Sequence, residues 1–185
     1  MRLFAVAGSL RKESWNRKLL ALAVGVAREA GAEVHLAEFR EFEMPMYDGD
    51  LQVAEGIPPG AERLIERIRG ADGLLIASPE YNFSMPGTLK NAIDWVSRAK
   101  PMPLRGKSAM LLSASNGLVG GNRGLWALRV PLESLGVHVY PDMFSLAQAD
   151  KALGADGVLQ DPAARERPER MVGGYVQRAR ALAGG

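Results

Sequence analysis

The chain contains 185 residues with a net charge of only +2, no cysteine and two histidines. Its length suits one well-packed domain spanning residues 1–185, and its charge gives no general attraction to nucleic acid or to a membrane surface. The lack of cysteine excludes disulfides, iron–sulfur clusters and cysteine nucleophiles, and His35 and His138 both lie in predicted strands, so we expect neither a Ser-His-Asp hydrolase nor a bound metal.

Apolar runs alternate with helical patterns along the chain. Leu3–Ala7 is continuously apolar, as in a buried parallel strand, and Asn16–Ala30 repeats apolar residues at helical spacing. Gly73–Ala77 is the most apolar run, which favours a central strand. The other predicted strands are Glu33–Ala37, Ser108–Ser113 and Val137–Tyr140, and the other predicted helices are Gly60–Arg69, Pro86–Arg98, Gly124–Leu135 and Asp161–Ala183.

Two further features concern the connections and the start of the chain. Prolines and an Asp-Gly pair between residues 45 and 59 predict a long irregular connection after the second strand. The apolar stretch within residues 1–10 is too short for a signal peptide, and Arg11-Lys12 follows where a cleavage site would be. Since no apolar run approaches the length of a membrane span, we expect a cytoplasmic location.

The alternation of five strands with helices predicts the fold class. A βα repeat packs stably as a parallel sheet with helices on both faces, so we predict an α/β three-layer sandwich with a five-stranded parallel sheet. In such folds, ligands bind beyond the carboxyl ends of the strands, near the switch in strand order. The candidate site therefore lies in the segments that follow Ala7, Ala77 and Ser113.

The first of these segments, residues 8–16, runs directly into a helix. It carries hydroxyls, an asparagine amide, Arg11 and the free N–H groups of a helix N-terminus. A phosphate dianion is bound by this combination of donors, positive charge and helix dipole. The same residues would also serve as an ordinary helix cap beside a solvated arginine, so the segment alone leaves both interpretations open.

The second and third segments differ from the first in composition. Residues 78–86 contain two prolines and the aromatic residues Tyr81 and Phe83, so this loop could pair rigid backbone groups with the edge of a planar ring and offer flat surface to its face. Residues 113–124 contain four glycines, which permit close approach of the backbone to a ligand, although a flexible loop has the same composition.

Taken together, the three segments resemble one family. The chain resembles the NAD(P)H-dependent FMN reductases, the flavodoxin-like group that includes bacterial quinone, chromate and azo reductases. The likeness runs from the first strand to about Pro141, and the tail after Asp150 does not contribute to it. The motifs that carry it are Gly8-Ser9-Leu10-Arg11 with Ser14 and Asn16, then Pro79-Glu80-Tyr81-Asn82, Ser84, Pro86-Gly87 and Leu89–Trp95, and finally the glycine-rich loop Ser115–Arg123.

The resemblance implies a set of cofactor-binding residues. Those implied to hold the FMN phosphate or to frame its loop are Ser9, Leu10, Arg11, Ser14, Trp15 and Asn16. Those implied to contact the isoalloxazine ring are Pro79, Glu80, Tyr81 and Asn82, chiefly through backbone groups, together with Ser115 and Gly117. We assign no catalytic acid or base, because structural roles are favoured for Glu80 and Tyr81.

The resemblance also implies the reaction. NADPH or NADH would donate hydride to FMN, and a flavin, quinone, chromate or azo compound would then accept the electrons in a ping-pong scheme. A homodimer or homotetramer is implied too, and the residues that could supply its interface, with core packing as the default for each, are Met44, Met46, Tyr47, Met85, Met102 and Trp126.

Two alternatives come from other functional classes. A flavodoxin-type electron carrier would dock its partners through an acidic face, but acidic residues do not outnumber basic ones here. An α/β domain that binds anions without flavin would not need the second segment, which is intact.

Overall fold

The computed structural model describes residues 1–154 and 156–184. Strands and helices alternate along these residues, largely as predicted. The strands are β1 (Arg2–Ala7), β2 (Glu33–Ala37), β3 (Gly73–Ala77), β4 (Ser108–Ala114), β5 (His138–Val139) and β6 (Phe144–Leu146). The α-helices are α1 (Trp15–Glu29), α2 (Gly49–Glu55), α3 (Pro59–Arg69), α4 (Gly87–Val96), α5 (Asn122–Ser134), α6 (Ala149–Ala152) and α7 (Ala163–Ala183).

All strand pairs are parallel, and the strand order is β2-β1-β3-β4-β5, with β6 also paired to β4. The central position predicted for β3 is confirmed, and all five of its residues are buried. The order reverses direction between β1 and β3, because the chain passes from β1 outward to β2 and then back across β1. The carboxyl ends of β1, β3 and β4 are therefore adjacent at this switch point.

The predicted fifth strand, Val137–Tyr140, was wrong in extent. The chain forms two short strands instead: β5 pairs with the start of β4, and β6 pairs with its end. Tyr140 still donates its N–H to the Ala109 oxygen at 2.7 Å, but Pro141 follows and has no N–H to continue the ladder. The strand therefore breaks at Pro141 and resumes at Phe144.

The connection after β2 is more regular than the prediction of an irregular segment. It contains a 3₁₀-helix, Phe39–Phe42, whose two phenylalanines are buried, and the short α2, which buries none of its residues. The connection is also fixed from α4, because Asn91 Nδ2 and Trp95 Nε1 donate to the Pro45 oxygen at 2.9 and 2.8 Å. Trp95 is fully buried, as expected of a core residue.

The sheet is covered on both faces, which confirms the three-layer sandwich. One apolar cluster joins the sheet to α3, α4 and α5, and a second joins it to α1 and α7. The last helix, α7, starts two residues later than predicted and has 21 residues, many of them arginine. Among the helices of residues 1–154 and 156–184, none is both long and apolar enough to span a bilayer.

At the amino end of the sheet, α7 is fixed by a buried hydroxyl. The Leu74 N–H donates to Tyr175 Oη at 3.0 Å, and Tyr175 Oη lies 3.0 Å from the Leu74 oxygen and 3.2 Å from Ser108 Oγ. Burial raises the pKa of Tyr175, with its hydrogen bonds to Ser108 and Leu74 acting in the opposite direction. The neighbouring Gly73 makes room for this hydroxyl, since a Cβ there would lie 2.6 Å from it.

Candidate functional site

The first loop, residues 8–14, connects β1 to α1 and presents two buried hydroxyls. Ser9 Oγ accepts from the Arg11 N–H, and Ser14 Oγ accepts from the Arg17 N–H, each at 3.4 Å. Ser14 thereby caps α1 in extended conformation. Because each hydroxyl acts here as an acceptor, its own proton remains available to a ligand.

Further donors surround these hydroxyls. Trp15 and Asn16 are the first residues of α1, so their backbone N–H groups have no acceptor within the helix. Arg11 and Leu10 are exposed, and Trp15 is half-buried with Lys18 Nζ 4.6 Å from its ring centre. This set of hydroxyls, amides and one guanidinium suits the terminal phosphate of FMN.

The Asn16 side chain has a different partner from the one expected. Its Nδ2 donates to the Ala114 oxygen at 2.9 Å, and its Oδ1 accepts from the Ala114 N–H at 3.0 Å. Both ends of the amide are thus bonded to the end of β4, across 98 positions of sequence. The prediction that Asn16 contacts a phosphate therefore rests on its backbone N–H, while its side chain joins the first loop to the third.

The second loop follows β3 and contains a tight turn. Tyr81 and Ser84 exchange backbone hydrogen bonds of 2.9 and 3.0 Å, and Asn82 and Phe83 between them have φ values of 49° and 66°. Positive φ is unfavourable for a bulky residue such as Phe83 and costs about 1–3 kcal/mol, so the surrounding structure must hold it. Pro79 is buried, whereas Tyr81 and Phe83 expose 48% and 67% of their surface.

Glu80 joins the second loop to α5. Its Oε1 accepts from Arg123 Nε at 3.0 Å, and its Oε2 accepts from the Gly124 N–H at 3.1 Å, in the first turn of α5. The carboxylate thus links the second loop to the first turn of α5. In the sequence, Arg123 was identified only as the last residue of the glycine-rich motif, and no role was assigned to its side chain.

The third loop, residues 115–121, follows β4 and is tied to the segment after β6. Ser115 Oγ accepts from the Gly117 N–H at 3.3 Å, and the Gly117 oxygen accepts from the Gln148 N–H at 3.2 Å. Gly121 has a φ of 85°, and a Cβ there would lie 2.1 Å from Ser113 Oγ, so glycine is required. Ser113 Oγ itself is buried without a hydrogen-bond partner among the described residues.

The sheet brings the three loops together. The Gly8 N–H donates to the Ala77 oxygen and the Ser78 N–H to the Leu112 oxygen, each at 2.8 Å. A cavity of about 610 Å³ adjoins the first loop and extends along α1, without reaching the second or third loop. The surface beside Tyr81, Asn82 and Gly117 is exposed. The arrangement therefore combines an end rich in hydrogen-bond donors, which suits a phosphate, with an open end that suits a flat ring.

Comparison with known proteins defines the class to which this site belongs. Residues 1–151 match the family model for NADPH-dependent FMN reductases. The chain belongs to this family.

Individual relatives are similar over most of the chain. The NAD(P)H-dependent FMN reductase of Pseudomonas aeruginosa is 42% identical over 168 residues, 90% of this chain and 88% of that protein. The quinone reductase of Escherichia coli K12 is 42% identical over 132 residues, 70% of this chain and 68% of that protein. FerB, a flavoenzyme NAD(P)H:(acceptor) oxidoreductase from Paracoccus denitrificans, superimposes with a TM-score of 0.84 at 31% identity and 97% coverage of both chains.

These similarities confirm four of the expectations from sequence. The family resemblance and the flavodoxin-like fold are confirmed, as are an NAD(P)H-dependent oxidoreductase activity and dependence on FMN. The particular cofactor-binding residues, the natural acceptor and the assembly state stay predictions.

Proposed function

We propose that this reductase transfers electrons from NADPH or NADH to quinones and free flavins, using FMN bound across the three loops. The quinone reductase relatives support quinones as acceptors. Chromate and azo compounds extend the same proposal, because an open ring face has few directional groups with which to reject an acceptor.

The proposed FMN site assigns a task to each loop. Ser9, Arg11 and Ser14 bind the phosphate together with the N–H groups at the start of α1, and Leu10 and Trp15 flank it. The backbone from Pro79 to Asn82 lines the ring edge, and Ser115 and Gly117 approach it from the third loop. When bound, FMN supplies a ring that accepts hydride from the nicotinamide and passes two electrons to the acceptor. Denatured protein should release FMN, and release of FAD alone would contradict this assignment.

The observation that carries the proposed reaction scheme is the exposed surface at the second and third loops. If donor and acceptor use one open face, they cannot bind together, and the reaction is ping-pong. Initial rates measured against NADPH at several menadione concentrations should give parallel double-reciprocal lines. Intersecting lines would indicate a ternary complex. A flavodoxin-type carrier would instead show only slow reduction by NAD(P)H, so this assay also separates the two classes.

We further propose that the chain forms a homodimer or homotetramer through the outer face of α5. Trp126 and Val130 lie one helical turn apart on α5 and expose 58% and 70% of their surface. Large exposed apolar residues on one face are typical of interaction surfaces. Light scattering should give a smaller molecular mass for Val130→Lys than for the wild type. Val53 is exposed on α2, away from this surface, so Val53→Lys should have the mass of the wild type. Equal masses for all three proteins would contradict the α5 interface.

We propose a single FMN-binding domain that acts in the cytoplasm, where reduced nicotinamide donors are produced and consumed. The two apolar clusters pack on opposite faces of one continuous sheet, which supports cooperative unfolding of the whole chain in one transition. Cell fractionation tests the location, and activity in the periplasmic fraction would contradict it. Calorimetry tests the single domain, and two separate thermal transitions would contradict it.

A further inference from the structure

Arg123 contacts two different groups of the second loop. Its Nε and a terminal guanidinium nitrogen lie 3.0 and 2.9 Å from Glu80 Oε1. Its Cζ lies 3.9 Å from the centre of the Phe83 ring. The Glu80 side chain is only 10% exposed and that of Arg123 is 48% exposed, so the ion pair is shielded from water on its carboxylate side, and the guanidinium lies over the ring.

These contacts meet at the strained part of the turn. Phe83 has a φ of 66°, and the two backbone hydrogen bonds between Tyr81 and Ser84 close the turn without restraining its ring. The turn also packs directly on α5, since a Cβ at Gly124 would lie 3.1 Å from the Ser84 oxygen. Arg123 is the side chain that connects the ring of Phe83, the carboxylate of Glu80 and the first turn of α5.

We propose that Arg123 is a positioning residue for the second loop, which lines the edge of the flavin ring. By holding the side chains of Glu80 and Phe83, Arg123 fixes the backbone of residues 80–83 in the strained conformation that lines the flavin ring. The inference rests on the proposed role of Pro79–Asn82 at the ring edge. Hydride transfer depends steeply on the relative placement of donor and ring, so a small displacement of this edge lowers the rate even where the fold is intact.

The first test compares two arginines of α5. Arg129 is the matched control, because it also pairs with a carboxylate, Glu133, and lies 5.6 Å from an aromatic ring, that of Trp126. Its other hydrogen bond, of 3.2 Å, goes to the Tyr140 oxygen, which lies outside the three loops. Arg123→Ala should raise the dissociation constant for FMN and slow flavin reduction by NADPH in stopped flow, each by about 3- to 10-fold. Arg129→Ala should change neither by more than about twofold, and Arg123→Lys should recover part of the FMN affinity through its charge.

The second test separates ring stacking and strain from general stability. Glycine adopts positive φ freely, so in Phe83→Gly Arg123 has no ring to stack on and no strained phenylalanine to hold, while its pair with Glu80 remains. Arg123→Ala should therefore weaken FMN binding less in the Phe83→Gly background than in the wild type. The melting temperature of each apoprotein is measured alongside. Equal effects in both backgrounds would overturn the proposal, as would losses of FMN affinity that follow the melting temperature across all variants.

The same measurements distinguish this inference from the proposed function. If the wild type reduces menadione but Arg123→Ala matches it in both FMN affinity and reduction rate, the positioning role is wrong and the function stands. If the wild type fails to reduce quinones while the FMN affinities change as expected, the positioning role stands and the proposed acceptor is wrong. Should Arg123→Ala fail to fold, the comparison uses Arg123→Lys together with Phe83→Gly and Phe83→Ala. Phe83→Ala loses the ring but keeps the backbone strain, so it should bind FMN less tightly than Phe83→Gly. Equal FMN affinity of these two variants would overturn the proposal.

Discussion

Buried hydroxyls lie at both ends of the parallel sheet, but their hydrogen bonding differs. At the amino end, Tyr175 Oη contacts the Leu74 N–H, the Leu74 oxygen and Ser108 Oγ. At the carboxyl end, Ser9 and Ser14 each accept one backbone N–H and keep a proton to donate. The satisfied hydroxyl stabilises the fold, whereas hydroxyls with remaining donor capacity suit a ligand. Substitutions at the two ends should therefore affect different quantities.

The largest expected effect is at the amino end, for Gly73→Ala. The added Cβ would lie 2.5 Å from Ser108 Oγ and 2.6 Å from Tyr175 Oη, so it displaces the hydroxyl and breaks its hydrogen bonds. We expect a loss of about 3–4 kcal/mol in the free energy of unfolding, measured by urea denaturation. Gly8→Ala is the control at the carboxyl end, where the three atoms nearest to the added Cβ all belong to the flexible Leu89 side chain, the nearest at 3.2 Å. A larger loss for Gly8→Ala would contradict the comparison.

Tyr175→Phe removes the hydroxyl without adding volume. It leaves the buried Leu74 N–H without its partner, which should cost about 2–3 kcal/mol in the free energy of unfolding. FMN affinity, measured by quenching of flavin fluorescence, should not change. Tyr140→Phe is the control, because Tyr140 packs on the Tyr175 ring at 5.7 Å and is half-buried. If Tyr175→Phe weakened FMN binding as much as stability, the two ends would not be independent.

Arg11→Ala should show the opposite result at the carboxyl end. Arg11 is exposed, so its removal should leave the free energy of unfolding of the apoprotein unchanged. Loss of a charge-assisted phosphate contact should weaken FMN binding by about 1.5–3 kcal/mol, or about tenfold to a hundredfold. Lys12→Ala removes the same charge from the next position and should have a smaller effect. Unchanged FMN affinity in Arg11→Ala would place the phosphate elsewhere.

The smallest expected effect is a pH dependence. Burial raises the pKa of Tyr175 in the folded state, so the phenol stays protonated there while it ionises in the unfolded chain at about pH 10. The unfolded state then binds fewer protons, and stability falls as pH rises above about 10, by at most about 1.4 kcal/mol per pH unit from this group. Urea melts at pH 9 and pH 11 should show a smaller drop for Tyr175→Phe than for the wild type. Equal drops would mean that Tyr175 does not carry the effect.

Local patterns in the sequence predicted most of the fold. Continuous apolar runs marked β1 and β3 because both strands are buried on two faces, and helical spacing marked α1. The two pieces of the last strand could not be separated, because Pro141 interrupts a ladder whose register is set by β4. The short α2 was missed for a related reason, since a helix that buries no residue has no apolar periodicity.

The candidate site was predictable only as three loops. Residue types and their order indicated the donor-rich first loop and the proline-bounded second loop, but not the contacts between the loops. The Asn16 bond to Ala114 and the Glu80 pair with Arg123 join residues 98 and 43 positions apart, and no local pattern encodes such pairings. The positive φ of Phe83 was equally hidden, because it goes against the intrinsic preference of phenylalanine.

The interruption at Pro141 also limits how copies of this chain can associate. An exposed edge strand offers unpaired N–H and C=O groups to which a neighbouring sheet can add, a common route to aggregation. Here that edge consists of β5, with two residues, and β6, with three, separated by a proline that cannot donate a bond. Neither piece is long enough to template a further strand. Extension of the sheet by a second copy is thereby disfavoured at this side of the molecule.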